Sequence, residues 1–225
     1  MARIVGYGAK RKRIRYCGDW VEKSYVREEL LIGDDALHER CRAIEVLSQL
    51  YETVPETSFH KDGAHLILRQ RRIKKAPRPS AECAYTALVS LADLLTATSP
   101  HTVHGDVCLK NMVFDGRHLH LVDWEPALKQ VRNGRETLLY TEPYLSESDR
   151  LRGSLSSETD KLGFFFSAFR LLHGRSPISE VRQWVHRRQR SSVPITPMLE
   201  ASFMDLSFKN ILELAQASKG WRLSG

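Results

Sequence analysis

Asp106, Asn111 and Asp123 are the residues of this chain whose types and spacing could do chemistry. The Asn follows the first Asp by five positions, and the second Asp comes twelve positions after the Asn. Phosphoryl transfer asks for this set: a carboxylate to orient and deprotonate an acceptor hydroxyl, a second to hold magnesium on nucleotide phosphates, and an amide oxygen in the metal's shell. Asp106 suits the first role, Asp123 and Asn111 the other two. The cofactors implied are ATP and Mg2+. An isolated Asp and Asn at this spacing would more often be a turn or a helix cap; the segments around these two separate the readings.

Between the two metal candidates, Met112 to Phe114, Asp115-Gly116-Arg117 and His118 to Val122 read as strand, tight turn and strand, with apolar residues alternating in the second arm. A hairpin brings Asn111 and Asp123 side by side at its open end. Upstream, Ala81 to Thr98 is a long apolar helix leading into the loop that carries Asp106.

His104-Gly105-Asp106 with Asn111, followed by Asp123-Trp124-Glu125, resembles the catalytic loop and metal-binding hairpin of the protein-kinase-like superfamily. The His-Gly-Asp and Asp-Trp-Glu variants are closer to its aminoglycoside phosphotransferase, choline kinase and lipopolysaccharide kinase branches. Thr141 to Glu147 resembles the end of a protein-kinase activation segment, although Glu147-Ser148 stands where a final Pro-Glu is usual. Asp160, opening the apolar run Phe164 to Leu172, is similar to the residue that holds the catalytic-loop backbone, and its role is read as structural. His104 is likewise read as a brace of the loop.

The resemblance implies an α+β, two-lobed protein-kinase-like fold: a small antiparallel sheet with one helix in an N-terminal lobe, residues 1–75, and a compact, mainly helical C-terminal lobe, residues 76–225. It implies an ATP-dependent phosphotransferase. A protein hydroxyl is the favoured acceptor because of the Thr141 block; a small molecule, sugar or lipopolysaccharide core is the alternative favoured by Asp-Trp-Glu. A pseudokinase acting as a binding module is the third reading, favoured by a poor glycine loop.

In the first lobe, Arg3 to Tyr7, Arg11 to Cys17 and Trp20 to Val26 read as a strand meander, and Thr57 to His60 with Ala64 to Leu68 as a hairpin that completes five strands. Gly6 and Gly8 suit either a loop over phosphates or a simple turn. Lys23 lies where the family has a phosphate-contacting strand lysine, on one face with Val21 and Tyr25. Its partner is expected from the helix Asp35 to Tyr51, with Glu39 preferred over Glu45 because it lies nearer the helix start. Lys110 stands where tyrosine kinases carry Arg, and either neutralises charge on the transferring group or is an ordinary solvated lysine. Glu125, in place of a flexible glycine, predicts a metal loop fixed in its active arrangement.

Gln70 to Ser80, rich in Arg, Lys and Pro, has the composition of a linker between lobes. Ile178 to Arg190 and Phe208 to Ser218 read as amphipathic helices. The 34 Lys and Arg against 27 Asp and Glu give a formal charge of +7, suited to an anionic nucleotide; few aromatics interleave with the basic clusters, which argues against nucleic acid as a partner. Cys17, Cys41, Cys83 and Cys108 lack metal-ligand spacing, and no secretory signal is recognisable, so reduced thiols in a cytoplasmic protein are expected. No apolar run is long enough to cross a bilayer.

Overall fold

The computed structural model describes residues 3–5, 13–30, 32–99, 102–124, 129–132, 135–138, 146–174 and 205–218. Gly6, Gly8, Glu125, Thr141 to Leu145 and the helix expected at Ile178 to Arg190 lie outside the described residues. The chain divides into two compact units, one comprising Met1–Ala76 and Val113–Leu139, the other Pro77–Met112 and Tyr140–Gly225.

The first unit is built on a five-stranded sheet. Strands β1 (Arg3–Val5), β2 (Arg13–Cys17), β3 (Trp20–Val26), β4 (Thr57–Asp62) and β5 (His65–Arg71) lie in the order β1-β2-β3-β5-β4, and each neighbouring pair is antiparallel. The β2–β3 register closes on Cys17 opposite Trp20, and the β4–β5 register on Asp62 opposite His65. Each leaves a two-residue loop, whose first member is a glycine in the left-handed region, Gly18 at φ 62° and Gly63 at φ 55°. That backbone is the one tight hairpins need and most side chains resist.

Helix α1 (Asp34–Leu50) covers one face of this sheet. Its buried residues Leu37, Cys41 and Ile44 recur at helical spacing. Leu37 and Cys41 pack with Tyr25 of β3, Leu30, and Leu66 and Leu68 of β5. Alternation puts Lys23, Tyr25, Leu66, Leu68 and Gln70 in the buried set. Burial pushes the Cys41 thiol up to about 12, so it stays protonated and behaves as a small apolar side chain. Strand β4 is an edge, and α1 occupies its unpaired amides: Glu45 Oε1 accepts from Phe59 N–H at 2.7 Å, and Ser48 Oγ accepts from Thr57 N–H at 3.2 Å.

Strands β6 (Met112–Phe114) and β7 (Leu119–Leu121) form the expected hairpin. Leu121 N–H donates to Thr53 C=O at 2.8 Å, and Ala76 N–H donates to Phe114 C=O at 2.8 Å, so both arms are tied to other segments of the unit. A short antiparallel pair, β8 (Lys129–Arg132) and β9 (Arg135–Leu138), follows. The sequence reading did not anticipate it, because its charged residues show no apolar alternation.

The second unit is helical. Helices α2 (Ala81–Thr98), α4 (Ser157–His173) and α5 (Phe208–Ala217) pack on one another, with the short α3 (Glu147–Arg152) preceding α4. Each starts on a serine whose side chain accepts a first-turn amide: Ser80 for α2, Ser146 for α3, Ser156 for α4 and Ser207 for α5. Fully buried Leu88, Leu91, Leu94 and Leu95 of α2 and Phe164, Phe165 and Phe169 of α4 supply the core. Phe164 meets Phe208 of α5 edge to face at 5.7 Å.

Within α4, Gly163 lets the helix lie against the loop backbone. A Cβ added there would sit 2.1 Å from the Val107 carbonyl oxygen. Gly163→Ala is therefore expected to destabilise the protein by about 3 kcal/mol or more, since backbone on both sides must yield. Urea unfolding measures this, and an unchanged midpoint would contradict such close packing.

Candidate active site

The loop from His104 to Asn111 is held from below by α4. Asp160, in the first turn of that helix and 3% exposed, accepts His104 N–H through Oδ2 and Gly105 N–H through Oδ1, each at 2.7 Å. The structural role read from the sequence is what the geometry displays. A buried carboxylate with two amide donors is a charge-assisted fork, and the turn it grips needs Gly105 at φ 83°. Buried His104 accepts Asp106 N–H through Nδ1 at 3.2 Å, which fixes the backbone one step further on.

Past Asp106, Val107 and Cys108 turn into the core, and a single 3₁₀ turn, Leu109–Asn111, brings the chain back. Asn111 Nδ2 then donates to both the Asp106 main-chain oxygen and Asp106 Oδ2, at 2.9 Å each. Both hydrogens of the amide are spent on Asp106. Asn111 Oδ1 makes no hydrogen bond among the described residues, so it is left as an oxygen donor. Lys110 Nζ lies 3.5 Å from Asp106 Oδ2 with its side chain 62% exposed, so the pair adds little stability. Asp106 Oδ1 is buried and has no hydrogen-bond partner among the described residues. A buried carboxylate oxygen left open is costly and calls for a donor.

The first unit carries the other candidates. Lys23, buried on β3, forms an ion pair with Asp123. Asp123 lies two residues beyond β7 with φ 65°, the one described non-glycine residue in the left-handed region. Such backbone is uncommon and concentrates where a side chain must be aimed. The next residue anchors it: Trp124 is fully buried, with Nε1–H donating to Leu121 C=O at 2.9 Å.

The expected pairing of Lys23 with Glu39 is corrected here. Glu39 is exposed on α1, Glu45 is occupied by the Phe59 amide, and the carboxylate found against Lys23 is that of Asp123. The phase of α1 explains this. Glu39 stands two positions from buried Leu37, about 200° around the helix, and so faces away from the sheet.

Two polar clusters escaped the sequence reading. Asp149, fully buried, joins Arg152 (2.5 Å), Thr159 Oγ1 (2.7 Å) and Ser156 N–H (2.8 Å), a knot tying α3 to α4. Burial pushes its pKa up, but the bonds from Thr159, Ser156 and Arg152 outweigh that and hold the carboxyl below its usual range. The second, around Asp115, His118 and His120, has a spacing signal that was available, two histidines two residues apart beside a turn Asp.

Neither a family model nor a curated protein sequence matches the chain. Solved structures do. The pseudokinase domain of BIR2, an immune regulator of the RLK/Pelle family, aligns with a TM-score of 0.57 at 12% identity, covering 95% of this chain and 73% of that one. The PK-1 kinase of Cydia pomonella granulovirus aligns with a TM-score of 0.57 at 13% identity, covering 100% and 90%. The fold is protein-kinase-like. At such identities the likeness carries the α+β kinase-like architecture and nothing about activity, and one of the two neighbours is a pseudokinase. No described helix of this kinase-like chain is long and apolar enough to cross a membrane.

Proposed function

We propose that this chain is an ATP-dependent kinase that transfers the γ-phosphate to an acceptor hydroxyl, with a protein as the acceptor. The observation that carries the reading is the state of Asp106: one carboxylate oxygen is fixed by Asn111, and the other is buried with no donor among the described residues. A general base needs this, an oriented carboxylate with an oxygen reserved for the substrate's hydrogen.

The residues also fit ATP and magnesium. Asn111 Oδ1 and the Asp123 carboxylate are hard oxygen donors of the kind Mg2+ takes, and Lys23 is a buried cation suited to phosphate. Bound Mg-ATP supplies the γ-phosphoryl group and offsets its charge. The protein's part is positioning and electrostatics: Asp106 Oδ1 accepts the hydroxyl hydrogen, Asn111 and Asp123 hold the metal, Lys23 aligns phosphates, and Lys110 faces the transferring charge. Gly6 and Gly8 are assigned to the phosphate cover on the family pattern alone. Glu39 is left without its expected part, since Asp123 is the partner of Lys23.

The protein acceptor rests on the resemblance of Thr141 to Glu147 to an activation segment. Incubation with γ-labelled ATP and Mg2+ is expected to place label on the chain itself or on protein acceptors, and Lys23→Met to abolish it. Label on sugars or amino alcohols alone would move the acceptor to the small-molecule class. ATP binding without transfer would make the chain a pseudokinase.

A further inference from the structure

We propose that Asp115, His118 and His120, at the turn of the β6–β7 hairpin, form a binding site for a divalent transition ion, zinc in particular, with Glu52 completing the donor set. A ring nitrogen from each histidine and a carboxylate oxygen from Asp115 lie within 4.8 Å of one another. His118 Nε2 is 3.1 Å from Glu52 Oε2, and His120 Nε2 is 2.7 Å from Asp115 Oδ2. Two imidazoles and two carboxylates suit zinc and its neighbours in the transition series, whereas magnesium and calcium prefer oxygen alone.

The site is largely assembled before any ion arrives. Asp115 Oδ1 accepts Arg117 N–H at 2.8 Å and His118 N–H at 2.7 Å, so the carboxylate is locked to its own turn. His118 immediately precedes β7 and His120 is the middle residue of that strand, and their rings meet edge to face with centroids 6.1 Å apart. Glu52 is brought close by the bond from Leu121 N–H to Thr53 C=O. Ligands around a tetrahedral zinc ion with bonds of about 2.0 Å are about 3.3 Å apart, so the widest separation of 4.8 Å must close by about 1.5 Å. With Asp115 held by its turn, the partly exposed His118 ring makes this movement and the exposed Glu52 adjusts to it.

The plainer reading is a turn in which His120 does no more than steady Asp115. It accounts for the Asp115 bonds. It gives no reason for His118 to meet Glu52 on the side where His120 Nε2 meets Asp115. An ion bound by both imidazoles accounts for that convergence.

The test is zinc titration of the full chain against a competing chelator, with excess Mg2+ present to occupy oxygen-only sites. Wild type is expected to take up one zinc, with a raised melting temperature and shifted ring-nitrogen NMR signals of His118 and His120. His118→Ala and His120→Gln are each expected to weaken binding ~10–100-fold or more, by the scale of losses at metal sites. His38→Ala, exposed on α1, leaves binding unchanged. His118 is only partly buried, so its variant keeps the test decisive if His120→Gln unfolds. Equal zinc affinity in wild type and His118→Ala, or no zinc retained by wild type, overturns the proposal.

Discussion

Replacing Asp106 by Asn is expected to slow the proposed phosphoryl transfer about 10²–10⁴-fold, the range for loss of a positioned general base, and to leave the affinity for ATP near that of wild type. The variant is well matched to the site. An Asn side chain can set its own Oδ1 where Asp106 Oδ2 accepts from Asn111 Nδ2, so the loop keeps its shape. What then occupies the place of the open, buried Oδ1 is an NH₂ group, which donates and cannot take the acceptor's hydrogen. The weak, exposed contact to Lys110 is lost at little cost to stability. Single-turnover transfer and nucleotide binding, measured separately, check this: the defect belongs in the transfer step, since the interaction removed is one made only with the reacting hydroxyl. Turnover like that of wild type would remove Asp106 from the proposed mechanism.

Replacing Asp160 by Ala has the second large effect, on stability first and on any activity through it. Two buried amides, those of His104 and Gly105, lose their acceptor together, and no water can follow readily into a pocket where Asp160 is 3% exposed. At about 1–3 kcal/mol for each orphaned group, the expected loss is about 2–6 kcal/mol. Asp160→Asn is expected to fall between Ala and wild type, because an amide has one accepting oxygen for two donors. Urea unfolding of the three proteins measures the series. Equal stability of Ala and wild type would show that the fork does not hold the loop.

Much of the local architecture was legible in the chain. α2 runs from Ala81 to Thr98 as its apolar period indicates, and the meander, the β4–β5 hairpin and the β6–β7 hairpin fall where alternation and turn glycines put them. The grip of Asp160 on the loop was also implied, by the family resemblance of its motif. β8 and β9 were not, because short charged strands carry no periodic signal.

By itself the sequence determined the periodic helices and hairpins and which residues carry the reactive groups, since these follow from spacing and side-chain chemistry within a few turns of chain. Only the tertiary structure decided who meets whom. Lys23 pairs with a carboxylate 100 positions away and not with the nearer Glu39, because the rotation of α1 against the sheet turns Glu39 to solvent. His118 meets Glu52 because a backbone bond between β7 and the segment after α1 sets them together. Rotational phase and long-range pairing come from packing many apolar side chains at once, and no short stretch of residues encodes them.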